Sequence, residues 1–382
     1  MISAKALNIS PFIVMEVLER ASELEKQGRN IIHLEVGEPD FDVPQCVLRA
    51  SETALKEGRT HYTHSLGDPE LRDEICRSYH KNYGVGISPE QILITSGTSP
   101  AILLVLSVLC NPDDEIIVSD PGYACYPNFI GFSGAKMVKV PVFEQDGFQY
   151  RPENIGAAIT ERTRGIMINS PMNPTGNLLS AETLQAIASF SPYIISDEIY
   201  HGLVYGEKAH SILEFTRNAF VLNGFSKLYA MTGLRLGYVI APKEFIRPMQ
   251  KLQQNLFICA SSVAQQAGIA ALRDAETEVE QMKSIYNERR RYMVSRLREL
   301  GFRITVEPTG AFYVFVDARH LSGDSYKLAF DILEKANVGV TPGIDFGENG
   351  EGYLRFSYAN SLENIMEGLN RLEKYIQDFK GL

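Results

Sequence analysis

The feature that most limits how this chain can fold is a series of short apolar runs, rich in β-branched residues, through its middle. They lie at 92–95, 115–119, 137–140, 165–169, 193–196, 219–223 and 236–240. Helical or loop segments separate most of them, including 100–110 and 181–190. A strand with one wet face alternates polar and apolar residues. These runs are apolar nearly throughout, so both faces are expected to be covered. Such strands alternating with helices predict an α/β fold, with a mostly parallel sheet between helices.

The two ends of the chain read differently. A charged helix over 276–300 leads into short strands at 302–306 and 312–316, then a helix near 326–336, a strand at 353–356 and a final helix. This is the pattern of a smaller α/β unit. Near the start, Ser10-Pro11 opens a helix whose apolar residues Val14, Val17, Leu18, Ala21 and Leu24 share one face. It ends near Gly28, has no strands of its own and is expected to pack on the C-terminal unit. Asp68-Pro69 is a cap and first-turn pair for another amphipathic helix. At 382 residues the chain exceeds what one core usually serves. The expected division is a large domain over 49–285 and a small domain from 1–48 with 286–382.

A net charge of −10 argues against a nucleic-acid partner, which would need a basic face. Cys46, Cys76, Cys110, Cys125 and Cys259 are scattered, with no Cys-x-x-Cys pair. They read as buried free thiols of a reducing compartment, with no zinc or other metal site. No signal-peptide pattern fits the first residues, and the longest apolar run, 101–110, is too short to span a bilayer. A cytoplasmic protein is expected.

Chemistry concentrates where strand runs end. Gly224-Phe225-Ser226-Lys227 follows one run, and Thr232-Gly233-Leu234-Arg235-Leu236-Gly237 leads into the next. A lysine at a buried strand end is costly as a charged spectator, because desolvation disfavours the ammonium. A lysine of lowered pKa suits Schiff-base chemistry, while Ser226 and Arg235 offer a donor and a fixed charge for a phosphate. A surface lysine with an unrelated arginine is the plainer alternative. Asp197, in Ser196-Asp197-Glu198-Ile199-Tyr200, ends another run, where α/β ligands bind. Its carboxylate could keep a pyridine nitrogen protonated, or it could simply cap a turn. Ser170-Pro171-Met172-Asn173-Pro174-Thr175-Gly176 is a stiff loop offering the Asn173 amide, or a plain turn. Thr95-Ser96-Gly97-Thr98-Ser99-Pro100 opens a helix and can serve as an anion site or an ordinary cap. It matches neither the Walker loop nor the dinucleotide fingerprint.

Taken together and in order, Asn173-Pro174-Thr175-Gly176, Asp197-Glu198-Ile199-Tyr200, Ser226-Lys227 and Arg235-Leu236-Gly237 resemble the class I/II aminotransferases. These are fold-type I pyridoxal-phosphate enzymes with the aspartate aminotransferase fold. The resemblance covers nearly the whole chain, from Leu34-Glu35-Val36-Gly37-Glu38-Pro39 through His61-Tyr62-Thr63 to Tyr353-Leu354-Arg355-Phe356-Ser357. It implies that the large domain binds pyridoxal 5′-phosphate, with Lys227 as Schiff-base lysine and proton shuttle. Asp197 would pair with the ring nitrogen, and Asn173 and Tyr200 would hold the phenolic oxygen. Gly97, Thr98, Ser99, Ser226 and Arg235 would hold the phosphate, joined by Tyr62 from the other subunit of a homodimer. Tyr123 would stack on the ring, where many relatives carry tryptophan; this chain has none. Arg355, with Gly37 and Asn173, would bind the substrate α-carboxylate. The resemblance also implies cis peptides at Asp120-Pro121 and Asn173-Pro174.

The activity so implied is transfer of an amino group from an L-amino acid to a 2-oxo acid by ping-pong kinetics. The same fold hosts carbon–sulfur β-lyases, and a β-lyase would need no oxo-acid acceptor. A regulatory binding module is a further alternative. Against it, the chain has no preceding helix-turn-helix and no basic patch, and it keeps every expected catalytic residue. In some aspartate-specific members of the family so resembled, a basic residue on the helix after the phosphate loop meets the distal carboxylate. The run 101–110 holds no Lys or Arg, so the resemblance favours a neutral side chain unless a partner-subunit arginine serves instead.

Overall fold

The apolar runs become strands because each offers one side chain after another to two separate cores. A computed structural model describes residues 2–380. Its strands are β1 (Ile32–His33), β2 (Ile92–Thr95), β3 (Glu115–Asp120), β4 (Lys136–Pro141), β5 (Thr163–Asn169), β6 (Tyr193–Asp197), β7 (Ala219–Gly224), β8 (Gly237–Ile240), β9 (Tyr313–Asp317), β10 (Val338–Gly339), β11 (Thr341–Pro342) and β12 (Tyr353–Ser357). The main sheet has seven strands in the order β2-β8-β7-β6-β5-β3-β4. All its pairings are parallel except those of β8, which runs against both neighbours. Ile166, Ile168, Ile194 and Val221 point into one buried cluster. Met167, Ile195, Phe220 and Leu222 point into another on the opposite face. Strands covered on both sides have no polar face to show, which is why no alternation appears in the sequence.

This topology places the chemistry. The chain runs outward from β3 to β4, returns to β5 on the other side of β3, and continues through β6 to β7. The carboxyl ends of β2, β3, β5, β6 and β7 therefore share one edge with the start of β8. That edge, beside the reversal of strand order, is where open α/β sheets bind ligands.

A second sheet, β11-β12-β9, is antiparallel, and β1 pairs with β10. Its core is built from Phe312, Val314, Leu354 and Phe356, with Tyr286, Met293 and Leu297 of the helix Glu276–Glu299. Val17, Ala21 and Leu24 of the N-terminal helix pack against Leu333 of the helix Ser325–Ala336, as its apolar stripe implied. Asp68 caps the helix Pro69–Tyr83 by accepting from the Glu70 N–H.

Three expectations need correction. The N-terminal helix starts at Ile13 and not at Ser10-Pro11. The Ser10 N–H and C=O are both taken by Asn128, at 3.1 Å each. The N–H groups of Ile13 and Val14 donate to the Asp345 carboxylate, at 2.9 and 3.3 Å, so the cap comes from 332 residues away. Residues 302–306 are not a strand; a single bridge joins Arg303 to Asp317. Pro308 just beyond has no N–H to extend a ladder. The five cysteines are unpaired but only partly buried, not buried as expected. Among the described residues no helix is long and apolar enough to cross a membrane.

Phe220 tests the layered packing. It is fully buried on β7 between the rings of Phe245 and Tyr193, with centroids at 5.0 and 5.6 Å. Phe220→Ala is expected to cost about 3–5 kcal/mol, read as a lowered urea midpoint at unchanged m-value.

Candidate active site

The sheet edge carries three polar groups of residues around one cavity of about 250 Å³. The first is built for an anion. Gly97 precedes the helix Thr98–Leu109 at φ +94°, where a side chain is strained. A Cβ there would also lie 2.7 Å from Nη2 of Arg235. Only glycine lets this backbone lie against the guanidinium. Across from it, a Cβ on Gly237 would meet the carbonyl carbon of Gly97 at 2.7 Å, so β8 starts directly beside the loop. Arg235 itself is exposed, with φ +53°, and donates to the Thr232 carbonyl at 3.0 Å. No carboxylate among the described residues pairs with it. Ser226 is buried at the same edge, Thr98 is half-buried and Ser99 is exposed. Tyr62 does not join this group within the chain; it stands 81% exposed.

The second group sits deeper. Asp197, at the end of β6, is 4% exposed. Its Oδ2 accepts from the Tyr126 hydroxyl at 2.8 Å, and its Oδ1 accepts only from the Ile199 N–H at 3.2 Å. Burial pushes its pKa up to about 6, against those two bonds and the nearby Lys227 charge. Asn169 ties two loops together: its amide donates to the Asp197 carbonyl at 2.9 Å and its oxygen accepts from the Asn173 N–H at 2.8 Å. Lys227 Nζ donates to the Gly37 carbonyl at 2.6 Å. Burial pulls the Lys227 pKa down to about 8, with Arg355 and Arg235 acting in the same sense and Glu38 and Asp197 opposing. Tyr123 lines the cavity, its ring edge-on to Tyr126 at 5.1 Å.

The third group surrounds Arg355 on β12, which is 3% exposed. Its Nη1 donates to Asn173 Oδ1 at 2.9 Å, and its Nη2 donates to the Glu35 carbonyl at 2.5 Å and to Thr341 Oγ1 at 3.1 Å. Its Nε is buried and has no partner among the described residues. Tyr313 lies under the guanidinium, 4.3 Å from ring centroid to Cζ, and its hydroxyl meets that of Tyr200 at 2.9 Å. Gly37 passes so close to Tyr313 that a Cβ would fall 2.0 Å from the hydroxyl. Asp120-Pro121 and Asn173-Pro174 are cis, and so is Ser170-Pro171. A larger cavity of about 490 Å³, lined by Tyr79, Tyr83 and Lys283, holds none of the expected catalytic residues.

Comparison with known proteins bears on this constellation directly. The model of the family aminotransferase class I and II matches residues 29–372. The chain belongs to that family. The (5-formylfuran-3-yl)methyl phosphate transaminase of Methanocaldococcus jannaschii is 42% identical, over 98% of this chain and all of that protein. The aspartate aminotransferase of Pyrococcus horikoshii is 40% identical, over 99% of this chain and 98% of that one. Among solved structures, the aspartate aminotransferase of Thermus thermophilus with maleate superposes with a TM-score of 0.94 at 35% identity. That match covers 98% of this chain and 99% of that one. This protein is an aminotransferase, and the carbon–sulfur lyase alternative has no counterpart among these relatives.

Four residues of the aminotransferase's cavity region escaped the sequence reading. Tyr126 holds Asp197, Asn169 joins two loops, Tyr313 backs Arg355, and Thr341 shares its Nη2. Tyr126 and Asn169 had a signal, since each lies three or four residues from a singled-out side chain. Tyr313 and Thr341 had none, because only the register of β9 and β11 against β12 brings them near. The N-terminal residues Phe12, Val14, Met15 and Leu18 also line the cavity.

The lysine's shift has a measurable consequence. With a folded pKa near 8 and an ordinary value of 10.5, Lys227 binds fewer protons folded than unfolded between those values. Stability therefore rises with pH across that window, and the burial cost stands in full below it. Cofactor-free Lys227→Met is expected to melt above the cofactor-free wild type at pH 7. The gap should narrow between about pH 8 and 10.5 in calorimetric scans.

Proposed function

We propose that this aminotransferase binds pyridoxal 5′-phosphate covalently on Lys227 and exchanges amino groups between L-amino acids and 2-oxo acids. The observation that carries the reading is Asp197: a carboxylate buried at one end of the cavity with one oxygen barely engaged. Its pKa of about 6 is that of a group lacking its cation, which fits a protonated ring nitrogen. At the mouth, Gly97, Thr98, Ser99, Ser226 and the unpaired Arg235 fit a phosphate. Tyr123 would cover the ring's face, and Tyr200 and the Asn173 amide would donate to its phenolic oxygen.

When bound, the cofactor supplies an electron sink for the pair left at the substrate Cα. The residues do the rest. Arg355, with its unpartnered Nε, fixes the substrate carboxylate, aided by Asn173 and the backbone at Gly37. Lys227 takes the Cα proton, and a pKa of about 8 leaves it a usable neutral fraction at neutral pH. Residues 49–285 would form the large cofactor-binding domain, and 1–48 with 286–382 the small domain. The unpaired thiols suit a reducing cytoplasm.

Borohydride treatment of the yellow holoprotein should fix the cofactor to one peptide containing Lys227, read by mass spectrometry. Labelling of another lysine would overturn the assignment. A panel of amino donors against pyruvate and 2-oxoglutarate should include (5-formylfuran-3-yl)methyl phosphate as acceptor, since a relative is named for it.

The working unit is proposed to be a homodimer with shared sites. Tyr62 is exposed, and its loop rests on the helix Lys243–Leu256 through Ser65, which accepts from Gln250 and Gln254 at 2.9 and 3.0 Å. Beside that contact Leu256 and Ile258 are exposed, an apolar surface suited to a second copy. Tyr62→Phe should weaken cofactor binding by about 1.5–3 kcal/mol, the worth of one hydrogen bond to a charged group. Inactive Tyr62→Ala and Lys227→Ala subunits should regain activity when mixed under exchange. No recovery despite proven exchange would defeat shared sites.

A further inference from the structure

The substrate cavity has an unbalanced inventory of charge. Resting on the proposed roles, its two cations are already committed, Lys227 to the cofactor and Arg355 to the α-carboxylate. Among the described residues of this chain no other Lys, Arg or His lines it. The apolar part of its wall is Phe12, Val14, Met15 and Leu18 from the N-terminal segment, with Val36 and Ile199. Nearby charge is of the wrong sign for a second anion. Glu38 lies close enough to raise the Lys227 pKa, and it accepts from the Thr232 hydroxyl at 2.5 Å. Arg20, farther along the same helix, is occupied by Glu23 at 2.8 Å and Glu334 at 2.6 Å.

The apolar wall is also fixed in place. Asp345 caps the helix at Ile13 and Val14, and Asn128 clamps Ser10 from the other side. Phe346, next to Asp345, packs on Arg355 with its centroid 5.0 Å from the guanidinium carbon. The wall and the carboxylate site are thus held by adjacent residues. A side-chain carboxylate placed against this wall would lose water and gain no cationic partner, which disfavours its binding. An apolar side chain would gain from the same burial.

We propose that the amino acid recognised here carries an apolar side chain, aromatic or large aliphatic, and that Phe12, Met15 and Leu18 are its specificity residues. Single-donor mixing with the holoprotein reads each half-reaction from the cofactor's absorbance change. Phenylalanine or leucine should exceed aspartate in kcat/KM by about 100-fold, the discrimination of a hydrophobic pocket without a polar partner. Binding without turnover gives a second readout. By calorimetry, 3-phenylpropanoate should bind at least about tenfold tighter than succinate. Met15 is 45% exposed, so Met15→Arg leaves the core alone; it should narrow the phenylalanine-to-aspartate ratio by about tenfold or more at unchanged cofactor absorbance.

Aspartate matching phenylalanine, or succinate binding the tighter, would overturn the proposal and point to a cation supplied by the partner subunit. A ratio unmoved in Met15→Arg, Phe12→Ala and Leu18→Ala would overturn the assignment of the wall. If no donor changed the absorbance and Lys227 stayed unlabelled, the cofactor reading would fail instead. Calorimetry would still decide the chemistry of the cavity.

Discussion

Placing a buried aspartate and a half-buried lysine at one edge of the same sheet is unfavourable for each alone, and the site is organised around that cost. Neither has a salt-bridge partner within bonding distance to offset it. Asp197 is held by a phenol and one backbone N–H, and Lys227 by one backbone carbonyl. Burial therefore drives both pKa values toward neutrality, the carboxylate upward and the ammonium downward. An amine poised near neutral pH can exchange a proton at little cost, while a buried carboxylate short of a partner favours a cation placed beside it. The apolar strands that made the fold legible also make the edge dry enough to do this.

Holding such groups still falls to the residues beside them. Glu198, next to Asp197, is buried as well, yet it accepts from Ser196, Ser211 and Tyr79 and from the Ile212 N–H. Those bonds anchor the turn after β6 and so fix where Asp197 and Tyr200 point. Asn169 does the same for the next loop, and Tyr313 for Arg355. Gly37 belongs to this framework too: its missing side chain is the room that the Tyr313 hydroxyl occupies. A larger residue there would push Tyr313 away from Tyr200 and Arg355.

The strands and the residues at their ends were readable because they obey local rules. An apolar run marks a strand covered on both faces, and chemistry gathers where such strands stop. Lys227, Asp197, Asn173 and Gly97 all follow that rule. What the sequence hid depends on pairing across long separations. Tyr313 and Thr341 approach Arg355 only through antiparallel register, and 302–306 looked like a strand although Pro308 ends its pairing. Tyr62 was named by the resemblance alone, and within the chain it stays exposed and apart from the other residues of that group.

The start of the N-terminal helix shows how such hidden contacts join fold to selectivity. Locally, Ser10-Pro11 is a sound helix opening, yet the helix waits until Ile13 because Asp345 supplies the cap and Asn128 takes Ser10. Had Ser10 served as the cap, Phe12 would lie inside the helix and turn with it. Held outside as the flanking residue, it leaves the helical screw and joins Met15 and Leu18 along the cavity. A carboxylate from the second sheet's unit thereby decides which side chains of the first twenty residues line the cavity. The same turn sets Phe346 against Arg355, so the proposed α-carboxylate site and the apolar wall are held together by one short segment.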